Sequence, residues 1–293
     1  MISLDIGTKI TAAGFALAAV STASYIASKR WLAVRHEQVV FNWLPPQLNG
    51  LKILHLSDIH SNNPQKMNLD FWPAVAALEF NMAIITGDLV VGEIEQINPH
   101  MPSIRKLSKR VPVFYVEGNH EMMFFEETTD LLKDAGVIVL ANERQTWKIG
   151  KFGPIPIIGL RDYSVLLLNR FRDMHELLNS CEGRFHLVLS HEPQVFRYIK
   201  RLKLGLVLAG HTHGGQVRIP ALPTLYAPGQ GILPKYGDGW YSEGDNKMYV
   251  SKGIGVTVFP IRLFNRPEIA VIELINSNAG YARNHIKSNN EHG

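Results

Sequence analysis

Short apolar, β-branched runs alternate with longer amphipathic stretches through the middle of the chain, the patterning of strands followed by helices. Strand-type runs occupy Leu51–Leu56, Met82–Thr86, Val113–Glu117, Ile155–Leu160, Phe185–Leu189 and Leu204–Leu208. Helical periodicity falls near Met67–Glu79, Met101–Lys109, Glu126–Asp134 and Pro193–Leu202. The alternation predicts a layered α/β fold. Ahead of it, Gln38–Trp43 reads as a short strand, and Pro45-Pro46 with Asn49-Gly50 punctuate the chain before the main domain. In the last third, Gln216–Ile219, Lys247–Ser251, Val256–Phe259 and Glu268–Leu274 read as strands with no strong helical stretch between them, which predicts a second sheet. There is no internal repeat, and the polar tail from Asn276 reads as disordered. The expected organisation is therefore an N-terminal segment over 1–35, a main domain over 36–275 and a tail over 276–293.

One stretch departs from globular patterning. From Ile10 to Ala27, about 18 residues run without a charge, near the lower length limit for a membrane-spanning helix. Lys29, Arg30 and Arg35 follow, so the run reads as a membrane anchor with its C-terminal side, and hence the main domain, in the cytoplasm. Trp31 and Trp43 are candidate interfacial aromatics. A cleaved signal peptide fits less well, because only Lys9, set against Asp5, precedes the run. Elsewhere the composition is ordinary: 46% hydrophobic and 19% charged over 293 residues supports a sizeable core. The single cysteine, Cys181, excludes an intramolecular disulfide and thiolate metal clusters, so any metal must be held by nitrogen and oxygen. A net charge of +4 suits an anionic substrate or a membrane surface but is too small to indicate nucleic acid. With no basic run interleaved with aromatics, no nucleic-acid partner is expected.

Five clusters of metal-type residues fall at or just after predicted strand ends, where open α/β sheets bind ligands. They are Ser57-Asp58-Ile59-His60, Thr86-Gly87-Asp88, Glu117-Gly118-Asn119-His120-Glu121, Ser190-His191-Glu192 and Ala209-Gly210-His211-Thr212-His213. Burying so many imidazoles and carboxylates without partners would cost several kcal/mol per group, and a pair of divalent cations is the natural partner. Gly87, Gly118 and Gly210 permit the close backbone approach such a crowded site requires. Singly, each cluster is an ordinary turn or polar pair; the ordered set is far more specific.

That set, D-x-H, G-D, G-N-H-E, H and G-H-T-H, resembles the calcineurin-like metallophosphoesterase superfamily over roughly Leu51 to Leu274. The resemblance implies a four-layer α-β-β-α sandwich of two mixed sheets flanked by helices. It implies one metal on Asp58, His60 and His213, another on Asn119, His191 and His211, and Asp88 bridging the two. His120 would be the catalytic histidine that binds no metal. The cofactors implied are two divalent transition-metal ions, Mn²⁺ foremost, with Fe, Zn, Co and Ni as alternatives. The motifs G-H-T-H-G-G-Q at Gly210–Gln216, S-K-G-I-G at Ser251–Gly255 and R-P-E-I at Arg266–Ile269 look like the bacterial branch whose members often carry an N-terminal membrane segment. Two positions depart from the family pattern: Val91 stands where a second Asp is common, and Glu121 where Asp is common. Neither is an expected ligand, so both bear on hydrogen bonding around the ligands.

The implied function is hydrolysis of a phosphodiester or pyrophosphate bond, with the substrate possibilities spanning a membrane lipid-linked molecule such as UDP-2,3-diacylglucosamine and soluble phosphate esters. A non-catalytic scaffold of the same fold would be expected to have lost ligands, and each expected ligand is present. His55 lies inside the first strand and reads as a packing residue; His36, His100, His175, His186, His285 and His292 lack a motif context. Arg161 follows a strand and is a candidate either for a substrate phosphate or for a structural salt bridge. Phe124, Phe125, Tyr163 and Val165 to Leu168 are candidates for a lipid-facing cap or for packing between helices.

Overall fold

The structure is a computed structural model that describes residues 11, 14–15, 18–26, 31–60, 71–161, 171–256 and 261–278. Two six-stranded mixed sheets form its centre. In the first, β1 (Ala33–Phe41), β14 (Glu268–Asn276), β2 (Lys52–Leu56), β3 (Met82–Thr86), β4 (Val113–Val116) and β5 (Ile138–Val139) lie side by side in that order. In the second, the order is β12 (Gly239–Glu243), β13 (Asn246–Val250), β9 (Gly205–Ala209), β8 (His186–Leu189), β7 (Pro154–Gly159) and β6 (Glu143–Lys148). β2 to β5 run parallel, as do β7, β8, β9 and β13. A two-stranded ribbon, β10 (Tyr226–Ala227) with β11 (Gly231–Ile232), stands apart from both.

The period-2 alternation assigns each strand residue to a layer. Ile53, Met82, Ile84, Phe114 and Val116 of the first sheet pack with Ile155, Ile157, Leu187, Leu189, Leu206 and Leu208 of the second in one buried cluster. Their neighbours Leu54, Leu56, Ala83, Ile85 and Val113 point the other way, onto Val75 of the helix Trp72–Ala77, Ile104 and Leu107 of Met101–Arg110 and Leu132 of Phe125–Asp134. On the second sheet's outer face, Ile158, Val188, Val207 and Met248 meet Met174 and Leu178 of Phe171–Asn179 and Phe196 and Ile199 of Phe196–Ile199. The result is the expected α-β-β-α sandwich. Strands apolar on both faces are what parallel, doubly covered sheets require.

The late strands do not make a sheet of their own, which corrects the expectation from sequence. β13 extends the second sheet beside β9, whereas β14 inserts in the first between β1 and β2. Gln216–Ile219 is not a strand and makes only the isolated bridge Val217–Leu263. Of Val256–Phe259, residues 257–259 lie outside the described residues. Pro193–Leu202 breaks into a 3₁₀ turn, Pro193–Val195, and the short helix Phe196–Ile199. β1 begins at Ala33, inside the segment assigned to the anchor, and β14 carries the fold through Asn276, whose side-chain amide donates to Leu44 O. Of the anchor run, residues 18–26 are helical, and among the described residues no helix is long and apolar enough to cross a membrane. The tail beyond residue 278, and Tyr163 and Val165 to Leu168, lie outside the described residues.

Candidate metal centre

The carboxyl ends of β2, β3 and β4 in one sheet meet those of β8 and β9 in the other, and the five polar clusters are the loops that leave them. Backbone bonds stitch these loops together: Asp58 N donates to Gly87 O at 3.1 Å, His60 N to Asp88 O at 3.0 Å and Gly210 N to His191 O at 2.9 Å. Close approach is enforced by glycine. A Cβ on Gly118 would lie 2.6 Å from Asp88 N, and one on Gly210 would lie 2.5 Å from Asp58 Oδ2 and press into Ser57 Oγ. Asp58, His60, Asp88, His211 and His213 all adopt left-handed backbone conformations, with φ of 51°, 46°, 54°, 71° and 50°. Asp and His tolerate this region better than most side chains, but it still costs on the order of 1–3 kcal/mol per residue. Five such residues converging on one point mark a site where geometry has been favoured over backbone ease.

The side chains form two overlapping sets. Ligand-type atoms of Asp58, His60, Asp88 and His213 all lie within 4.8 Å of one another, and so do those of Asp88, His191 and His211. Asp88 belongs to both. Its Oδ2 is 3.5 Å from His60 Nε2 and 3.2 Å from His191 Nε2, while Oδ1 accepts from His120 N at 3.1 Å. Asn119 Oδ1 is 3.2 Å from His191 Nε2, so the amide joins the second set. Asp58 approaches His213 Nε2 at 3.4 Å and accepts the His211 backbone N–H on both oxygens at 3.0 and 3.1 Å.

Proton placement favours a cation at these convergence points. His191 Nδ1 lies 2.7 Å from Thr86 O and His60 Nδ1 3.3 Å from Val90 O; a carbonyl only accepts, so each ring carries its proton there. In the neutral form each Nε2 then presents a lone pair inward. His60 Nε2 faces His213 Nε2 at 3.0 Å, and His191 Nε2 faces His211 Nδ1 at 3.1 Å. Lone pairs and carboxylates directed at one another call for a positive charge between them. Carbonyl-anchored imidazoles are also the arrangement that fixes metal-binding histidines. The donor set of imidazole, carboxylate and amide oxygen fits divalent transition metals.

Burial holds the rings ready. It pushes His60 down to about 4 and His211 to about 3, and His213 well below the usual imidazole value, so all three stay neutral at pH 7. Burial pushes Asp58 up to about 6, against the pull of His191. For Asp88 burial acts in the same direction, but His191, His60 and His120 outweigh it and hold the carboxyl well below its ordinary range.

His120 stands apart from both sets. Its side chain is 24% exposed, its Nε2 is 4.0 Å from Asp88 Oδ2, and its ring meets that of His60 edge-on at 5.0 Å between centroids. It lines the rim, free to face a substrate. The remaining described histidines lie elsewhere: His36 is exposed on β1, His55 is fully buried with Nε2 2.9 Å from Thr86 Oγ1, His100 accepts from Trp72 Nε1, His175 sits beside Asn179, and His186 lies 2.7 Å from Arg184 O. Arg161 forms the salt bridge, with Nε and Nη2 on Glu117 at 2.5 and 3.0 Å. Phe125 packs under that guanidinium and against the outer helices rather than forming a cap.

Glu121 does more than its departure from the family pattern suggests. Fully buried, it accepts the backbone N–H of Asp88 at 2.8 Å, Gly118 at 2.9 Å and Val90 at 3.0 Å, tying the β3 and β4 loops together. Val91 contributes only its backbone N–H, donated to Gln96 Oε1. Two further residues brace His213. Arg262, a fully buried arginine, donates to Gly255 O and Lys252 O with Nη2 3.3 Å from His213 Nδ1, and Asn265 Nδ2 donates to His213 O at 2.6 Å. Neither carries a spacing signal in the sequence; only their position just ahead of the R-P-E-I motif points to them.

Comparison with known proteins agrees with this geometry. A family model for calcineurin-like phosphoesterases matches residues 51–215, which span all five clusters. The metallophosphoesterase YkoQ of Bacillus subtilis (strain 168) is 30% identical over 230 residues, 76% of this chain and 83% of its own length. Phosphodiesterase YaeI of Escherichia coli (strain K12) is 26% identical over 232 residues, covering 76% of this chain and 82% of that protein. A Bos taurus transmembrane protein with a metallophosphoesterase domain is 29% identical over 261 residues, 83% of this chain but 57% of the bovine protein. A match over more than half of the chain, on the loops that build a two-lobed Asp and His cluster, means that the protein belongs to the calcineurin-like phosphoesterase family and is a metal-dependent phosphoester hydrolase.

Proposed function

We propose that the chain is a binuclear-metal hydrolase of phosphodiester or pyrophosphate bonds. The observation that carries this reading is the membership of Asp88 in both ligand sets, which suits one carboxylate spanning two cations. Asp58, His60 and His213 would hold one ion and Asn119, His191 and His211 the other, with Mn²⁺ the proposed metal. Such a pair supplies an activated water at neutral pH and offsets charge developing on the phosphoryl group. The protein's own part is positional. Asp58 and Asp88 keep their carboxylates oriented through backbone N–H groups of His211 and His120, and the carbonyl-anchored imidazoles cannot rotate away. His120, on the rim and off the ligand sets, would bind a phosphoryl oxygen or protonate the leaving oxygen, a role worth roughly 10²–10⁴ in rate.

For the substrate, an amphiphilic or lipid-linked phosphoester such as UDP-2,3-diacylglucosamine is the finer proposal, with the N-terminal segment holding the chain at the cytoplasmic face of a membrane. A cavity of about 430 Å³ supports it, lined by Trp31, Ile219, Leu222 and Phe264 and bordered by Asn265, which also holds the His213 backbone. The exposed Ile232 and Leu233 lie on and beside the small ribbon whose Gly229 turn abuts His211. A soluble phosphate ester is the second reading, favoured by Arg218 and Arg266, which line the same cavity. Comparing turnover of bis-p-nitrophenyl phosphate, p-nitrophenyl phosphate and UDP-2,3-diacylglucosamine by Mn²⁺-loaded protein tests both. Turnover of the lipid-linked substrate well above the soluble esters supports the first reading, and its absence supports the second.

A further inference from the structure

We infer that Arg161 is a positioning residue for His120, acting by clamping both ends of the loop that carries it. The inference rests on the proposed role of His120. Arg161 follows β7 in the second sheet, yet its guanidinium reaches Glu117 at the end of β4 in the first, through a two-point pair at 2.5 and 3.0 Å. Glu117 is buried, and the Arg161 side chain is only 20% exposed. The face of the same guanidinium lies 4.2 Å from the centre of the Phe125 ring, the first residue of the helix that follows the loop. One planar group therefore holds position 117 by its edge and position 125 by its face, with Asn119 and His120 between. Arg161 is itself fixed, since its backbone N–H donates to Asn142 Oδ1 at 2.9 Å.

The geometry also orients Arg161 toward the loop. Its side-on edge, Nε with Nη2, is already on Glu117, which leaves a phosphate only the end-on Nη edge. Inside the loop, His120 is tied by its backbone N–H to Asp88 Oδ1, while its ring projects to the rim. The direction of that ring thus depends on how the loop ends are held. In the reaction, a water that has given up a proton to solvent bonds through its oxygen to phosphorus as the bond to the leaving oxygen breaks with its electron pair, and His120 transfers its proton to that leaving oxygen and is reprotonated from solvent. An alkoxide leaving group needs this proton; p-nitrophenolate does not. A misdirected His120 therefore slows alkyl esters selectively.

The test compares full-length, Mn²⁺-loaded wild type with Arg161→Gln, Arg161→Lys, His120→Ala and the Arg161→Gln/His120→Ala double variant. Each is assayed on bis-p-nitrophenyl phosphate and on a methyl alkyl phosphodiester, with metal content and thermal melting measured alongside. We expect Arg161→Gln to lower kcat on the alkyl diester at least ~10-fold more than on the aryl diester, with KM and bound metal little changed. Arg161→Lys, which keeps the charge and loses the fork, should recover only part of the loss. Added to His120→Ala, the Arg161→Gln change should slow neither ester further. A loss residing in KM would make Arg161 a substrate-binding residue, and an equal loss on both esters, multiplicative effects in the double variant, or loss of metal or folding would likewise overturn the inference. Wild type that hydrolyses neither ester with Mn²⁺ would instead defeat the functional reading, a result scored before any variant.

Discussion

Replacing Glu121 by alanine removes one carboxylate that accepts three buried N–H groups, from Asp88, Gly118 and Val90. Leaving each donor orphaned costs roughly 1–3 kcal/mol, so the gross loss is about 3–9 kcal/mol. A counter-effect comes from charge. Burial and the neighbouring Asp88 raise Glu121 from 4.5 to about 7, so the folded state resists its ionisation. A raised carboxyl destabilises the fold increasingly as pH climbs from the unfolded value to the folded one, by about 1 kcal/mol at pH 5.5 and about 3 kcal/mol at pH 7.5. Alanine escapes that penalty. The net destabilisation should therefore be about 3 kcal/mol at pH 7.5 and about 2 kcal/mol larger at pH 5.5. Urea unfolding of metal-free wild type and Glu121→Ala at the two pH values measures it. A variant as stable as wild type at both, or a gap that widens with rising pH, would refute the reasoning.

Other outcomes follow from the same geometry. His120→Ala should retain its metal, by elemental analysis, while kcat on the methyl alkyl phosphodiester falls by roughly 10²–10⁴; loss of metal would make it a ligand. Gly118→Ala drives a methyl to within 2.6 Å of Asp88 N at an ordinary backbone angle, so metal content and turnover should both fall, and unchanged values would show that the two loops have slack. His55, fully buried and pushed by burial down to about 3, must stay neutral in the fold. A depressed imidazole destabilises the fold as pH drops below 6.5, so His55→Gln should gain about 2 kcal/mol relative to wild type between pH 7 and pH 5, read from urea midpoints; parallel curves for the two proteins would argue otherwise.

Much of the sandwich was legible because buried parallel strands are nearly continuous apolar runs: Met82–Thr86 is strand from end to end as read. β6, Glu143–Lys148, escaped because its sequence ERQTWK is polar and it forms a sheet edge. β14 is plain as a strand, but nothing in its local pattern says that it crosses to the first sheet; that pairing is set by tertiary packing. The candidate site was legible for a different reason. Ligand-type residues are rare after apolar runs, and five ordered clusters specify a gathering place even when each alone says little. What stayed hidden is the scaffolding. Glu121 read as a departure from pattern, yet its longer arm reaches three N–H groups; Arg262 sits far from the clusters in sequence and against His213 in space. Such contacts carry no spacing signature, because loops from different sheets supply the two partners.

The central claim is that Asp88 is shared by two metal ions. Metal-stripped wild type and Asp88→Ala, refilled with Mn²⁺, should be compared for bound metal per chain and for hydrolysis of bis-p-nitrophenyl phosphate. The account predicts about two ions per wild-type chain with Mn²⁺-dependent turnover, and in Asp88→Ala fewer than two ions and no turnover. Full metal occupancy and retained hydrolysis in Asp88→Ala, or a wild type that binds no metal, would contradict it.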